Sequence, residues 1–178
     1  EEGFDPDAVA VAARAAGGDL ERVRALLSDE AASQRWRRWS DLLGRVDGTA
    51  ATASGLCAEL IADLDAAGEA LAASHARQLE AFDRAEGDSA RGQAGRRKRL
   101  EERHKREARR LRNDALRAGM AALADEARVG AVDAAGAQAY GRVGDGLADL
   151  ELALLHNARE DLALLALLLA LGEPAPSL

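Results

Sequence analysis

Leu162 to Leu171 holds seven leucines in ten residues, and the other three are alanine. A helix of this composition is apolar on every side. It has to be packed inside a fold or clasped by other chains. Ten residues are too few to cross a bilayer. The stretch from Leu154 to Leu171 therefore reads as a packing or assembly element, interrupted once by the polar residues His156–Asp161. A chain that carries it must supply other helices, or recruit other chains, to cover it.

The remaining composition points the same way. Hydrophobic residues make up 48% of the chain but aromatics only 3%, and there are three prolines. Alanine and leucine supply the apolar mass, and no segment keeps the strict alternation a half-buried strand needs. The expected fold is all-α, a helical bundle with long antiparallel helices. Cys57 is the single cysteine, which excludes an intrachain disulfide and a cysteine-rich zinc site and fits a reducing cytoplasm. The opening EEGFDPD has no methionine and no signal-peptide pattern, and reads as the start of a C-terminal piece of a longer protein.

Helix boundaries follow from caps and breakers. Asp5-Pro6 opens a first helix that ends at Gly17-Gly18, and a short helix covers Asp19 to Leu27. Ser28-Asp29-Glu30 starts another, to about Arg45, with Trp36, Trp39 and Leu43 sharing one face and the two tryptophans as core anchors. A long helix over about Ala50 to Arg84 places Leu56, Leu60, Leu64, Ala67, Leu71, His75, Leu79 and Phe82 in one stripe. Gly87–Gly95 reads as a flexible loop. A second long helix runs from about Arg97 to Ala127, solvated in its first half. Its second half is amphipathic through Leu116, Met120, Leu123 and Ala127. GRVGDG, at Gly141–Gly146, reads as a linker before a final helical pair.

Charge is unevenly written along the chain. The formal net charge is −7, yet Arg91 to Arg112 carries eleven Lys/Arg against three Glu. Arg96, Arg97, Lys98 and Arg99 are the first candidates for contact with phosphates or an acidic partner. No aromatic is interleaved to stack bases, which argues against sequence-specific or single-strand readout. A helical nucleic-acid-associated module that works through residues 91–112 is the alternative function; a solubilising arm is the plainer reading.

Catalytic constellations are weak. Glu101-x-x-His104 has the spacing of a di-iron bundle ligand pair, but neither His75 nor His156 has a glutamate three residues earlier. The pair reads as a solvated helix face. Cys57 sits at apolar helical spacing and reads as a buried thiol. No G-x-S-x-G, Walker A or G-x-G-x-x-G pattern occurs. Neither a metal nor an organic cofactor is expected, and no catalytic residue is assigned. His156 and Asn157 read as a helix corner whose side chains cap exposed backbone groups.

Three stretches together resemble a known family. ARAAGGDLERVRALL, Ala13 to Leu27, resembles the end of the lid subdomain of clamp-loader AAA+ proteins, with Arg22 where those proteins carry the sensor 2 arginine. LEERHKREARRLRNDALRAGMAALA, Leu100 to Ala124, is similar to a charged-then-amphipathic helix of actinobacterial-type delta-prime subunits of the DNA polymerase III clamp loader. HNAREDLALLALLLAL, His156 to Leu171, resembles their closing motif, N-x-N-P-x-L-A-L-E-x-L-L-L-x-L. Asn157 matches its first asparagine, and Leu162, Ala163, Leu164, Leu167, Leu168 and Leu169 its apolar frame. Arg159, Glu160 and Leu165 depart from its second asparagine, its proline and its glutamate.

The resemblance implies a lid end at residues 1–27 and a helical collar at 28–178, with a basic helical extension at about 88–112. It implies a non-catalytic assembly role in clamp loading, with other clamp-loader subunits as partners and DNA backbone as a further contact of the basic arm. No membrane is involved. Asn157, Leu162, Leu164, Leu167 and Leu168 would form core or subunit interface. Arg22 would lie near a bound nucleotide.

Overall fold

A computed structural model describes residues 20–85 and 90–173, together with residues 9, 12 and 13. The fold is an all-α helical bundle, with no strand among the described residues. The helices are α1 (Leu20–Ser28), α2 (Glu30–Ser40), α3 (Leu42–Arg45), α4 (Ala50–Ala85), α5 (Ala90–Gly130), α6 (Ala134–Leu155) and α7 (Glu160–Gly172). They pack as two compact units. One is Glu1–Ile61 with Ala118–Leu178, and the other is Ala62–Arg117. The expected first helix, Pro6 to Ala16 with its Gly17-Gly18 stop, lies largely outside the described residues.

Caps set the starts. Asp29 accepts hydrogen bonds from the backbone N–H groups of Ala31 and Ala32 at 3.0 and 3.1 Å, satisfying donors the first turn of α2 leaves open. Before α4, Thr49 Oγ1 accepts from the Thr52 N–H at 3.2 Å and donates to Asp47 at 2.8 Å. The Thr49 backbone N–H and the two threonine hydroxyls hold the Asp47 carboxyl below the usual range. Asp133 caps α6 through the Gly136 N–H at 2.8 Å.

The core of the larger unit is built on two close approaches. Trp39 is 2% exposed and lies flat on α5 at Gly119, where an added Cβ would stand 2.2 Å from the indole ring. Only a residue without a side chain lets the ring reach the α5 backbone. Gly48, at φ +77°, meets Gly172 backbone to backbone, so that a Cβ on Gly48 would stand 2.6 Å from the Gly172 carbonyl oxygen. That contact fastens the start of α4 to the end of α7. Leu42, Leu56, Leu60, Met120, Leu123 and Val143 are among the other buried residues of this unit.

Two expectations about this unit need correction. The helix from Asp29 does not continue to Arg45. It is interrupted at Asp41, and a separate short turn, α3, covers Leu42–Arg45. Leu42, three residues after Trp39 and 1% exposed, is buried, while Leu43 and Trp36 are half-buried. GRVGDG is no linker: it is the middle of α6, with Val143 and Gly146 buried. Glycine there is a packing residue, because Leu167 of α7 would stand 2.8 Å from a Cβ at Gly146.

Gly119→Ala should lower stability by about 1–3 kcal/mol, since the wedge under Trp39 forces the ring out of place. Gly68→Ala, in helix α4 with open space around it, should be neutral or raise stability by up to about 1 kcal/mol. Thermal unfolding followed by circular dichroism separates the two, and equal midpoints would contradict the close approach.

Candidate assembly surface and basic hairpin

The leucine-rich segment forms a helical hairpin, α6 against α7. Its corner is closed by the backbone. Asn157 has φ +57°, the left-handed conformation that asparagine tolerates better than most residues. Ala158 N–H bonds to the Ala153 carbonyl at 3.0 Å, and Asn157 N–H to the Leu154 carbonyl at 3.1 Å. This is the Schellman arrangement that satisfies the last carbonyls of a helix. His156 Nδ1 adds a contact to the Leu152 carbonyl at 2.8 Å. The corner expected at His156-Asn157 is present, and it turns sharply without the proline that Glu160 replaces.

On the far side of the corner, α7 begins with Arg159 at the cap position. Its side chain caps nothing; it pairs with Asp161 at 2.5 Å, and that bond holds the Asp161 carboxyl down and the guanidinium up. Glu160 and Asp161 place negative charge at the positive end of the helix. The thiol of Cys57 donates to the Asp161 carbonyl at 3.3 Å. Burial, then the Asp161 charge, pushes that thiol up, so it stays protonated rather than nucleophilic.

The candidate interface residues separate into two groups. Leu164, Leu167 and Leu168 are buried, together with Ala163 and Leu171, and face Val143, Gly146 and Leu150 of α6 within the same unit. Each buried leucine contributes about 1.5–3 kcal/mol. Leu162 is not core: it is 54% exposed. It is joined at the corner end of the hairpin by Leu152, 54% exposed, and Leu155, 78% exposed. Leu152 and Leu155 lie on the side of α6 away from Val143, Gly146 and Leu150, as their spacing requires. Asn157 is exposed between them. The end of the hairpin thus presents three leucines to water around a polar corner.

The second unit is a helical hairpin of α4 and α5. Asp65 pairs with Arg112 at 2.6 Å, His75 with Glu107 at 3.1 Å, Gln78 with His104 at 3.0 Å and Asp83 with Arg97 at 3.1 Å. One number rises as the other falls, which makes the pair antiparallel. The expected loop over Gly87–Gly95 is shorter than its glycines suggest. Helix α5 already runs from Ala90, and residues 86–89 lie outside the described residues.

His104 overturns another expectation. It is 6% exposed rather than on a solvated face. Its ring stacks on His75 with centroids 3.9 Å apart and planes 6° from parallel. Its Nε2 donates to Gln78, which also accepts from Arg103 at 3.3 Å. Its Nδ1 is buried with no hydrogen-bond partner among the described residues. Adding a proton would bury a donor without an acceptor beside another imidazole. Desolvation first, then His75 and Arg103, hold the His104 pKa below the usual histidine value, against the opposing pull of Glu107 and Glu101. No group of three or more metal-ligating side chains lies together among the described residues.

The first-named basic candidates are also redistributed. Lys98 and Arg99 are exposed, as is Arg96. Arg97 instead turns toward α4, held by Asp83 and by Glu101. Arg22 falls on α1, and its side chain lies outside the described residues. No described helix is long and apolar enough to cross a membrane.

No protein-family model, curated protein or solved structure matches this chain.

The stacked pair makes the small hairpin sensitive to acid. A histidine whose pKa is depressed on folding takes up its proton more readily when unfolded, so stability is full above the unfolded value near 6.5 and falls as pH drops below it. Once the intrinsic slowing of exchange with acid is corrected for, residues 98–112 should therefore show an excess loss of protection from pH 7.5 to pH 5.5. His104→Phe, which keeps a stackable ring without a titrating group, should remove the excess. A pH-independent opening equilibrium in the parent chain would contradict the assignment.

Proposed function

We propose that this chain is the helical assembly domain of a clamp-loader subunit of the delta-prime kind, a non-catalytic, cytoplasmic scaffold in the loading of a sliding clamp during DNA replication. The observation that carries this reading is the corner end of the α6–α7 hairpin. Leu152, Leu155 and Leu162 are exposed there, while Leu150, Leu164, Leu167 and Leu168 of the same hairpin are buried in the core. Large apolar side chains grouped at one end of a helical pair fit a surface that neighbouring subunits cover. Asn157 and the leucines of the closing motif occupy that element: Leu164, Leu167 and Leu168 hold the fold, and Leu162 remains for a partner. On this reading, residues 1–27 are the end of an AAA+ lid, with Arg22 its nucleotide-proximal position.

The test is the mass, by light scattering, of this chain mixed with the other clamp-loader subunits of its organism. A complex held by leucines should persist between about 50 mM and about 500 mM salt, because apolar burial is not screened as phosphate contacts are. Changing Leu152, Leu155 and Leu162 together to Ser should keep the helical signal and abolish the complex. Leu164→Asp should instead lose the fold, since a carboxylate cannot be buried unpaired. No complex from the folded parent chain, or a triple variant that assembles normally, would overturn the proposal.

A further inference from the structure

The hairpin of the smaller unit carries a second surface, unrelated to the leucines. Helix α5 has two chemically distinct sides between Gly95 and Arg117. One side meets α4 through Arg97, His104, Glu107 and Arg112. At helical spacing on the opposite side stand Lys98, Arg99, Arg106, Arg109, Arg110 and Arg117, all exposed. The acids near that side are few. Glu102 is held by Lys105 at 3.1 Å, and Asp114 lies 3.8 Å from Arg110 and from Arg117, at the outer limit of an ion pair.

A face that serves only solubility mixes both signs. This one gathers six cations, with Glu102 among them and Asp114 at its edge, onto one side of one helix in a chain whose net charge is −7. Arg106 with Arg109 and Arg110 sets like charges three and four residues apart, an arrangement that weakens a helix until a counter-charge arrives. Protein partners are usually gripped by apolar or aromatic anchors at the centre of an interface. This face has none, nor an aromatic ring on which a single-stranded base could stack. Residues 98 to 117 extend over about 28 Å of helix, the length in which one strand of a duplex presents about eight phosphates. Gly95 leaves a shallow hollow at one end of the row, lined by Lys98, Arg99, Glu102 and Arg106, open enough for a phosphate.

We infer that this outward face of α5 is a docking surface for the sugar-phosphate backbone of a nucleic-acid duplex. It reads charge and spacing rather than base sequence, because no side chain on it offers a pattern of base-edge contacts beyond what phosphates accept. Arg97 takes no part, since α4 already holds it. The surface is independent of the proposed assembly role and works whether or not the leucine end has partners.

The experiment is fluorescence anisotropy of the whole chain, without other subunits, on a random-sequence duplex of about 20 base pairs, from about 50 to about 200 mM salt. With five or six phosphates neutralised, the logarithm of affinity should fall with the logarithm of salt at a slope of about −4.5 to −5.5. Changing Arg106, Arg109 and Arg110 together to Glu should weaken binding at least about tenfold and reduce the slope by about three. The same positions changed to Gln should move in the same direction. Arg128→Glu, which alters an exposed cation of the other unit, should change neither. Circular dichroism checks that each variant stays helical. Failure of the parent chain to bind at the lowest salt would overturn the inference. So would an unchanged slope in both triple variants, or a preference for poly-glutamate or single strands over the duplex.

Discussion

A helix apolar all round cannot be left in water, and the larger unit is organised around covering one side of α7. The cover comes from α6, whose buried positions Val143, Gly146 and Leu150 recur at helical spacing and meet Leu164, Leu167 and Leu168. Two glycines make this possible in different ways. Gly146 yields space to Leu167, and Gly172 yields space to the backbone at Gly48, so the end of α7 is fastened to the start of α4. The Asn157 corner then fixes how the hairpin reverses. The core does not use the leucines at the corner end, Leu152, Leu155 and Leu162, which stay exposed.

The smaller unit is held by different physics. Its apolar seam is thin: Leu71, Leu79, Phe82, Leu100 and Leu111 are all only half-buried. Acidic and polar residues of α4 meet basic ones of α5 in register, and two stacked imidazoles sit where a pair of leucines might have been. Ion pairs between exposed groups are each worth about 0–1 kcal/mol, so this hairpin is the less costly part of the chain to open. The arrangement pairs the cations on one side of α5 with α4 and leaves the other side predominantly basic. The exposed leucines and the exposed basic row thus fall on different units, and the two proposed contacts would differ in their dependence on salt.

The long features were legible in the sequence because spacing alone carries them. The stripe from Leu56 to Phe82 lies on the packed side of α4, and Leu116, Met120, Leu123 and Ala127 are buried as their period requires. The polar knot at His156-Asn157 announced a corner, since those side chains have little other use between leucines. What was illegible depends on contacts distant in sequence. The interruption at Asp41 leaves no local mark, nor does the deeper burial of Leu42 than of Leu43. Glycines in GRVGDG look like breakers until Leu167 is seen pressing on Gly146. His104 looks solvated because its basic neighbours in sequence point elsewhere around the helix, and only α4 brings His75 and Gln78 to it. For the same reason the run at 96–99 drew notice as a block. The surface it belongs to is a row that skips Arg97 and continues to Arg117.

The proposed roles of the two units can be separated by amide hydrogen exchange, comparing the chain alone with the chain mixed with the clamp-loader subunits of its organism at high salt. The account predicts new protection confined to the corner end of α6 and α7, around residues 150–164, with residues 98–117 unchanged. Protection that appears on 98–117 instead, or none at 150–164 when a complex has formed, would contradict the claim that the exposed leucines are the assembly surface.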